Sequence, residues 1–298
     1  MINDVWILAT ASLVAISCAL VGVFLILRRQ ALMGDAISHS VLLGIVLAFL
    51  ISESRSLPVM LAGAVIIGLI TAWLSDTLHK VGKLQSDASI GIVFTLFFAI
   101  GVILISLYAG QVDLDQECVL YGEIAFVPFD TIIWGSSEQG LDIGPRAFWM
   151  ISVVFVIVLA SILVAFNRLQ TVAFHPSLAL SLGINVVFWH YFLMTLVSLT
   201  TVASFDAVGA ILVVALLVIP ASSAYLLAST LKNMLWLAVI YAQSAVLIGY
   251  ALAYALDSAI SASIAVTSGV LLGLTILGLQ VHKIRLRRQG KATLLEKA

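Results

Sequence analysis

Nine stretches of about twenty apolar residues follow one another along this chain, at 5–27, 31–51, 58–78, 88–108, 147–166, 186–204, 207–228, 234–255 and 259–279. That succession limits the fold more than any other feature. A helix of about 20 residues crosses a hydrocarbon core about 30 Å thick and satisfies its own backbone hydrogen bonds on the way. The expected architecture is all-α: a polytopic integral membrane protein with nine spans, or eight if one segment does not cross. The segments take up roughly two thirds of the chain, so no large soluble domain is expected. Residues 1–282 are expected to form the transmembrane domain, and 283–298 a basic tail. Only 10% of the residues are charged, less than half of what a soluble domain carries. The first segment lacks a positive n-region and is too long for a cleavable signal, so it reads as a retained span. Cys18, in an apolar run, and Cys118, in a loop, make neither a disulfide framework nor a metal-site spacing.

Basic residues orient the spans. If the first segment runs from outside to inside, Arg28, Arg29, Lys80, Lys83, Arg168, Lys232, Lys283, Arg285, Arg287, Arg288, Lys291 and Lys297 are all cytoplasmic. Only Arg55 and Arg146 then lie outside, as the positive-inside bias requires. The connection 109–146 is acidic, with Asp113, Asp115, Glu117, Glu123, Asp130, Glu138 and Asp142 against Arg146 alone. It reads as a solvated outer loop, or as a docking face or funnel that concentrates cations. Its part from Cys118 to Trp134 is semi-apolar and contains Pro128. In the 167–185 connection, Pro176 suits the first turn of a short helix and Gly183 its end, which predicts a surface helix on the cytoplasmic side. Pro220 predicts a kink in the seventh span. Small residues four apart, Ser40/Gly44 and Ala64/Gly68, permit close helix packing. No Gly-x-x-x-x-Gly-Lys-[Ser/Thr] occurs, so the chain has no P-loop of its own. A net charge of −1 says nothing of nucleic acid, and no such partner is expected.

The chemistry concentrates in Arg28 to Gly44, Arg-Arg-Gln-Ala-Leu-Met-Gly-Asp-Ala-Ile-Ser-His-Ser-Val-Leu-Leu-Gly. Asp35 and His39 share one helix face about 6 Å apart along the axis, roughly 9 and 15 Å deep when counted from Arg29. An intramembrane acid costs about 2.5–3.5 kcal/mol or more and marks a functional site by default. A carboxylate and an imidazole one turn apart can share a divalent cation. Two other readings compete: Asp35 as a buried N-cap, and His39 as a polar bond to a neighbouring helix. His79, His190 and Asp206 lie near span ends and read as caps or interface residues.

The Arg28–His39 stretch resembles the signature of the membrane subunits of metal-importing ATP-binding-cassette transporters, the manganese/zinc/iron permeases. Val112-Asp-Leu-Asp, Leu120-Tyr-Gly-Glu-Ile, Phe174-His-Pro-Ser-Leu-Ala-Leu-Ser-Leu-Gly183 and Ala207-Val-Gly-Ala-Ile-Leu to Ile219-Pro-Ala extend the resemblance over nearly the whole chain. The resemblance implies a permease in the inner membrane that moves manganese, zinc or ferrous iron, with manganese favoured. It implies no permanently bound cofactor, and an ATP-binding subunit that hydrolyses ATP on the cytoplasmic side. It also implies an external metal-binding protein and a second permease chain, identical or related. Asp35 and His39 become the metal ligands, and the 170–183 segment, with Phe174, His175, Pro176, Ser177, Ala179, Leu180 and Gly183, couples to the ATPase. Leu43 stands where the family often has proline, and His175 where it usually has aspartate. Two ligands are too few for a closed ion site, so a two-fold dimer is expected to bring together two Asp and two His, with Gly34 and Ser38 allowing close approach. A rival reading is a proton- or ion-coupled secondary transporter using Asp35. An intramembrane aspartyl protease would need a second deep aspartate, and Asp76 and Asp206 lie at span ends.

Overall fold

The structure, a computed structural model, describes residues 2–52, 57–108, 123–134 and 141–295. Asp113, Asp115, Glu117, Cys118 and Glu138 of the acidic connection lie outside these residues, as does Arg55. The elements are α1 (Ile2–Leu27), α2 (Leu32–Ser52), α3 (Leu57–Val81), α4 (Ser86–Tyr108), a 3-10 helix η1 (Ile124–Phe129), β1 (Thr131–Trp134), β2 (Leu141–Pro145), α5 (Arg146–Phe174), α6 (Pro176–Ser181), α7 (Val186–Leu227), α8 (Leu231–Leu256) and α9 (Ile260–Leu295). Among the described residues nine helical segments are long and apolar enough to cross a membrane. Each falls on one of the nine segments expected, and their ends differ by a few residues except on α5. That helix continues through the polar Asn167–Phe174 turns beyond the apolar stretch. α9 likewise runs on as one helix into the basic tail.

Contacts between distant residues fix the two ends of the bundle. At one end Asp4 of α1 accepts a hydrogen bond from Tyr250 of α8, Gly144 packs on Trp6, and Glu123 bonds the first amide of α9. At the other end Arg28, Asp76 and His190 meet. This second end carries Arg28, Arg29, Lys80, Lys83, Arg168 and Lys232 and is the basic end. α1 is the central post: Val14, Ala15, Cys18, Ala19, Val21, Val23 and Phe24 are wholly buried. A span buried all round needs small and β-branched side chains that let its neighbours approach, and α1 supplies them.

α7 is not one crossing. Forty-two residues of straight helix would be about 63 Å long, twice the core thickness. Gly209 breaks it, with φ 75° and ψ 165°, a conformation open to glycine. Ser204, before the break, lies against Cys18, while Leu217, after it, packs on Gly22. Those contacts are one turn apart on α1, whereas a straight helix would hold Ser204 and Leu217 about 20 Å apart. The chain therefore turns back at Gly209, and both arms of α7 have their open ends at the basic end. The two arms are the two spans expected at 186–204 and 207–228; Pro220 lies within the second arm and keeps helical dihedrals, while the break falls eleven residues earlier, where glycine can take a positive φ. Phe205, Ala207, Val208 and Ala210 around the reversal are buried.

The small residues act as the pattern predicts. A Cβ on Gly44 would stand 2.7 Å from the Gly63 carbonyl and the Ala64 Cα, so α2 and α3 touch backbone to backbone there. Gly68 makes room for the Ser198 side chain of α7. α2 is an unbroken helix past Leu43.

Candidate metal pathway and coupling segment

The first two turns of α2 place Asp35 and His39. The preceding turn is tight. Arg29 takes a left-handed φ of 57°, the Gln30 amide donates to the Leu25 carbonyl at 3.0 Å, and the Met33 amide donates to the Gln30 carbonyl at 3.0 Å. Asp35 is the fourth residue of α2, so it stands past the N-cap position, and the N-cap reading falls. Its carboxylate instead faces His39, with Oδ1 3.5 Å from Nε2. The imidazole stacks on Phe94 of α4 with centroids 5.5 Å apart and an interplanar angle of 25°, and meets the edge of Phe98 at 5.8 Å. This aromatic wall fixes the ring plane. His39 and Asp35 keep 34% and 39% of their side-chain surface open on the outside of the single chain. A separation of 3.5 Å is loose for a hydrogen bond, and it leaves lone pairs on both groups for an ion arriving from that open side. Among the described residues no group of three or more His, Cys, Asp or Glu can hold a metal, so the chain brings two ligands to this point.

Gly34 and Ser38 do not share that open face. Leu217 of α7 fills the space beside Gly34, where a Cβ would meet its methyl at 3.2 Å. Ser38 is buried, and its hydroxyl donates to the Gly34 carbonyl at 2.8 Å. Both residues pack inside their own bundle, contrary to the expectation that they admit a partner. The reason is geometric: they lie one position before the ligands, about 100° around the helix.

The 174–183 segment caps the basic end. His175, with φ −138°, ends α5 and starts α6, and Pro176 occupies the first turn. Gly183, at φ 73°, closes α6, with the Ile184 amide bonding the Ala179 carbonyl at 2.9 Å. Asn185 then caps α7 by accepting the Phe188 amide at 3.0 Å. The apolar side chains of Phe174, Leu178, Leu180 and Leu182 all point outward, Leu180 with 64% of its surface exposed, while Ala179 is wholly buried against the chain itself. His175, Ser177 and Gly183 are exposed with them. Arg168 lies over the Trp189 ring at 5.6 Å and ties the end of α5 to the start of α7.

Sequence reasoning missed one cluster. The Arg28 Nη1 donates to His190 Nδ1 at 3.0 Å, and His190 Nε2 stands 2.9 Å from Asp76 Oδ2. Lys80 adds a looser contact to Asp76 at 3.6 Å. His190 therefore lies at the basic end, near the interface as expected, but it is a link between Arg28 and Asp76 and not a cap. Its Nδ1 must accept from the guanidinium, so its Nε2 carries the proton and faces the Asp76 carboxylate at ion-pair distance, outside hydrogen-bond geometry. Burial pulls the Arg28 guanidinium below its ordinary range, and Asp76 opposes that shift. The available signal was that all three polar residues sit at the basic ends of apolar spans. His79, another histidine at that end, bonds the Leu84 carbonyl at 2.8 Å and closes its own turn. The Asp206 side chain lies outside the described residues.

The model of the ABC 3 transport family matches residues 3–278. The manganese transport system membrane protein MntD of Bacillus subtilis is 49% identical over 90% of this chain and 89% of its own length. The zinc transport system membrane protein TroD of Treponema pallidum is 41% identical over 92% of this chain and 73% of its own. The solved structure of PsaBC from Streptococcus pneumoniae in complex with Fab superposes with a TM-score of 0.74 at 32% identity, covering 92% of this chain and 91% of that one. The chain belongs to the ABC 3 transport family and is a multi-pass membrane transport subunit.

Proposed function

We propose that this chain is the permease of an importer for a divalent transition metal, manganese by preference, driven by ATP hydrolysed on a separate cytoplasmic subunit. The observation that carries the reading is the Asp35–His39 pair, held one turn apart and open to one side. Carboxylate and imidazole together suit manganese, zinc and ferrous iron, and geometry rather than ligand type selects among them. The lean to manganese rests on relatives: the 49% identical one is named for manganese, the 41% one for zinc, and a 31% one, from Haemophilus influenzae, for iron.

A second permease chain, identical or related, completes the ligand set across a two-fold axis. The open face of α2 that carries Asp35 and His39 turns toward that partner. The exposed apolar side chains of the 174–183 segment dock into the ATP-binding subunit. Phe174, Leu178, Leu180 and Leu182 would otherwise stand in water at the basic end. His175, Pro176, Ser177 and Gly183 shape that segment, and the buried Ala179 anchors it. The basic end faces the cytoplasm of a cell with this chain in its inner membrane, residues 1–282 forming the permease body and 283–298 the tail. An external metal-binding protein delivers the ion to the opposite face.

Uptake of radioactive manganese into proteoliposomes tests the reading. Import should require the ATP-binding subunit and ATP, and should vanish with Asp35→Ala. Import by the permease alone, driven by an ion gradient, would instead favour the secondary-transport reading.

A further inference from the structure

The α1–α2 turn, α3 and α7 converge on the half-buried Arg28–His190–Asp76 chain, and the transport site uses none of these side chains. Arg28 follows the last turn of α1 and lies four residues before α2 begins, seven before Asp35. His190 is the fifth residue of α7, directly after the α6 segment and its Asn185 cap. Asp76 lies in the second-last turn of α3, the helix that touches α2 backbone to backbone at Gly44. His190 and Asp76 keep only 15% and 14% of their side-chain surface exposed, so water does not compete strongly for these contacts.

We infer that His190 is a positioning residue: its hydrogen bond to Arg28 and its close contact with Asp76 carry movement of the α6 segment to the α1–α2 turn and so to the metal ligands. The inference rests on the proposed docking of α6 to the ATP-binding subunit. The path is short and stiff. α6 is joined to α7 by the Gly183 turn and the Asn185 cap, and Arg168 over Trp189 clamps α5 to the same turn of α7. A tilt of that end moves the imidazole, which holds Arg28 on one side and Asp76 on the other. The α1–α2 turn is closed by its own backbone bonds, so a pull on Arg28 rotates the start of α2 instead of being absorbed by loop slack. The imidazole suits this task because its two nitrogens point in opposite directions, one accepting and one carrying the proton. Apolar packing at the same place would hold the helices together without fixing the angle between them.

The test uses the permease reconstituted with its ATP-binding subunit, and the readout is metal transported per ATP hydrolysed. His190→Gln retains one acceptor and one donor and should keep that ratio near wild type. His190→Leu keeps the bulk and loses both polar contacts. Its complex should assemble and hydrolyse ATP while the ratio falls about tenfold, within the usual range of coupling energies. If His190→Leu does not accumulate in the membrane, Arg28→Met breaks the same chain from its other end and carries the same expectation. An unchanged ratio in the Leu or Met variant, or a Gln variant as poorly coupled as Leu, overturns the inference. Failure of the docking reading would look different: the ATP-binding subunit would co-purify undiminished with a Leu180→Glu permease.

Discussion

Leu217 sits between two glycines, and the contrast between them tests the packing of α7 on the first two helices. A Cβ on Gly22 would lie 1.9 Å from the Leu217 carbonyl oxygen. That is about 1.5 Å short of ordinary van der Waals contact, and the clash is with backbone, which cannot rotate away. A Cβ on Gly34 would lie 3.2 Å from a Leu217 methyl, which can give by a few tenths of an ångström. Overpacking costs about 1–3 kcal/mol, and a backbone clash belongs at the top of that range. Each Gly→Ala exchange also gains about 1 kcal/mol of helix propensity. Gly22→Ala should therefore lose about 2 kcal/mol net, lowering Tm by about 4–8 °C, while Gly34→Ala stays within about 0.5 kcal/mol of wild type. The assay is thermal unfolding of both variants purified in one detergent. Equal losses in the two variants would refute the reversal that sets Leu217 against α1. A Gly34→Ala variant that unfolds normally yet no longer pairs with its partner chain would return Gly34 to the interface.

The other predictions are simpler. Asp35→Ala and His39→Ala should each abolish metal uptake while the ATP-binding subunit still co-purifies; normal uptake by both ends their assignment as ligands. Leu180→Glu places a charge on an exposed leucine of the docking segment and should strip the ATP-binding subunit from the permease in pull-down, with the permease itself folded. Glu123→Ala removes the carboxylate that accepts the Ile260 amide at 2.9 Å, and the loss of such a cap should cost about 1 kcal/mol and lower Tm by about 2–4 °C.

Hydropathy made the helices legible because the bilayer sets both their length and their composition. The basic residues gave the ends, and the contacts of Asp4 with Tyr250 and Arg28 with His190 place them as expected. The adjacency of Asp35 and His39 was legible too, since helical period alone puts them one turn apart. Period does not say which neighbour each face meets. It could not reveal that Gly34 meets Leu217, that His39 stacks on Phe94, or that Glu123 caps a helix 137 residues away. The reversal was legible, because 186–204 and 207–228 read as two spans with basic residues at their far ends; what the sequence did not show is that helix runs through the gap between them and breaks at Gly209. The Arg28–His190–Asp76 chain needs three helices to be in register, which no single stretch of sequence encodes.

The most direct measurement of the central claim is electron paramagnetic resonance of manganese bound to the purified transporter. The account predicts one manganese ion per pair of permease chains, with a nitrogen coupling from imidazole that His39→Ala removes and Asp76→Ala leaves intact. A bound ion whose nitrogen coupling survives His39→Ala, or a full ion bound by each chain alone, would contradict it.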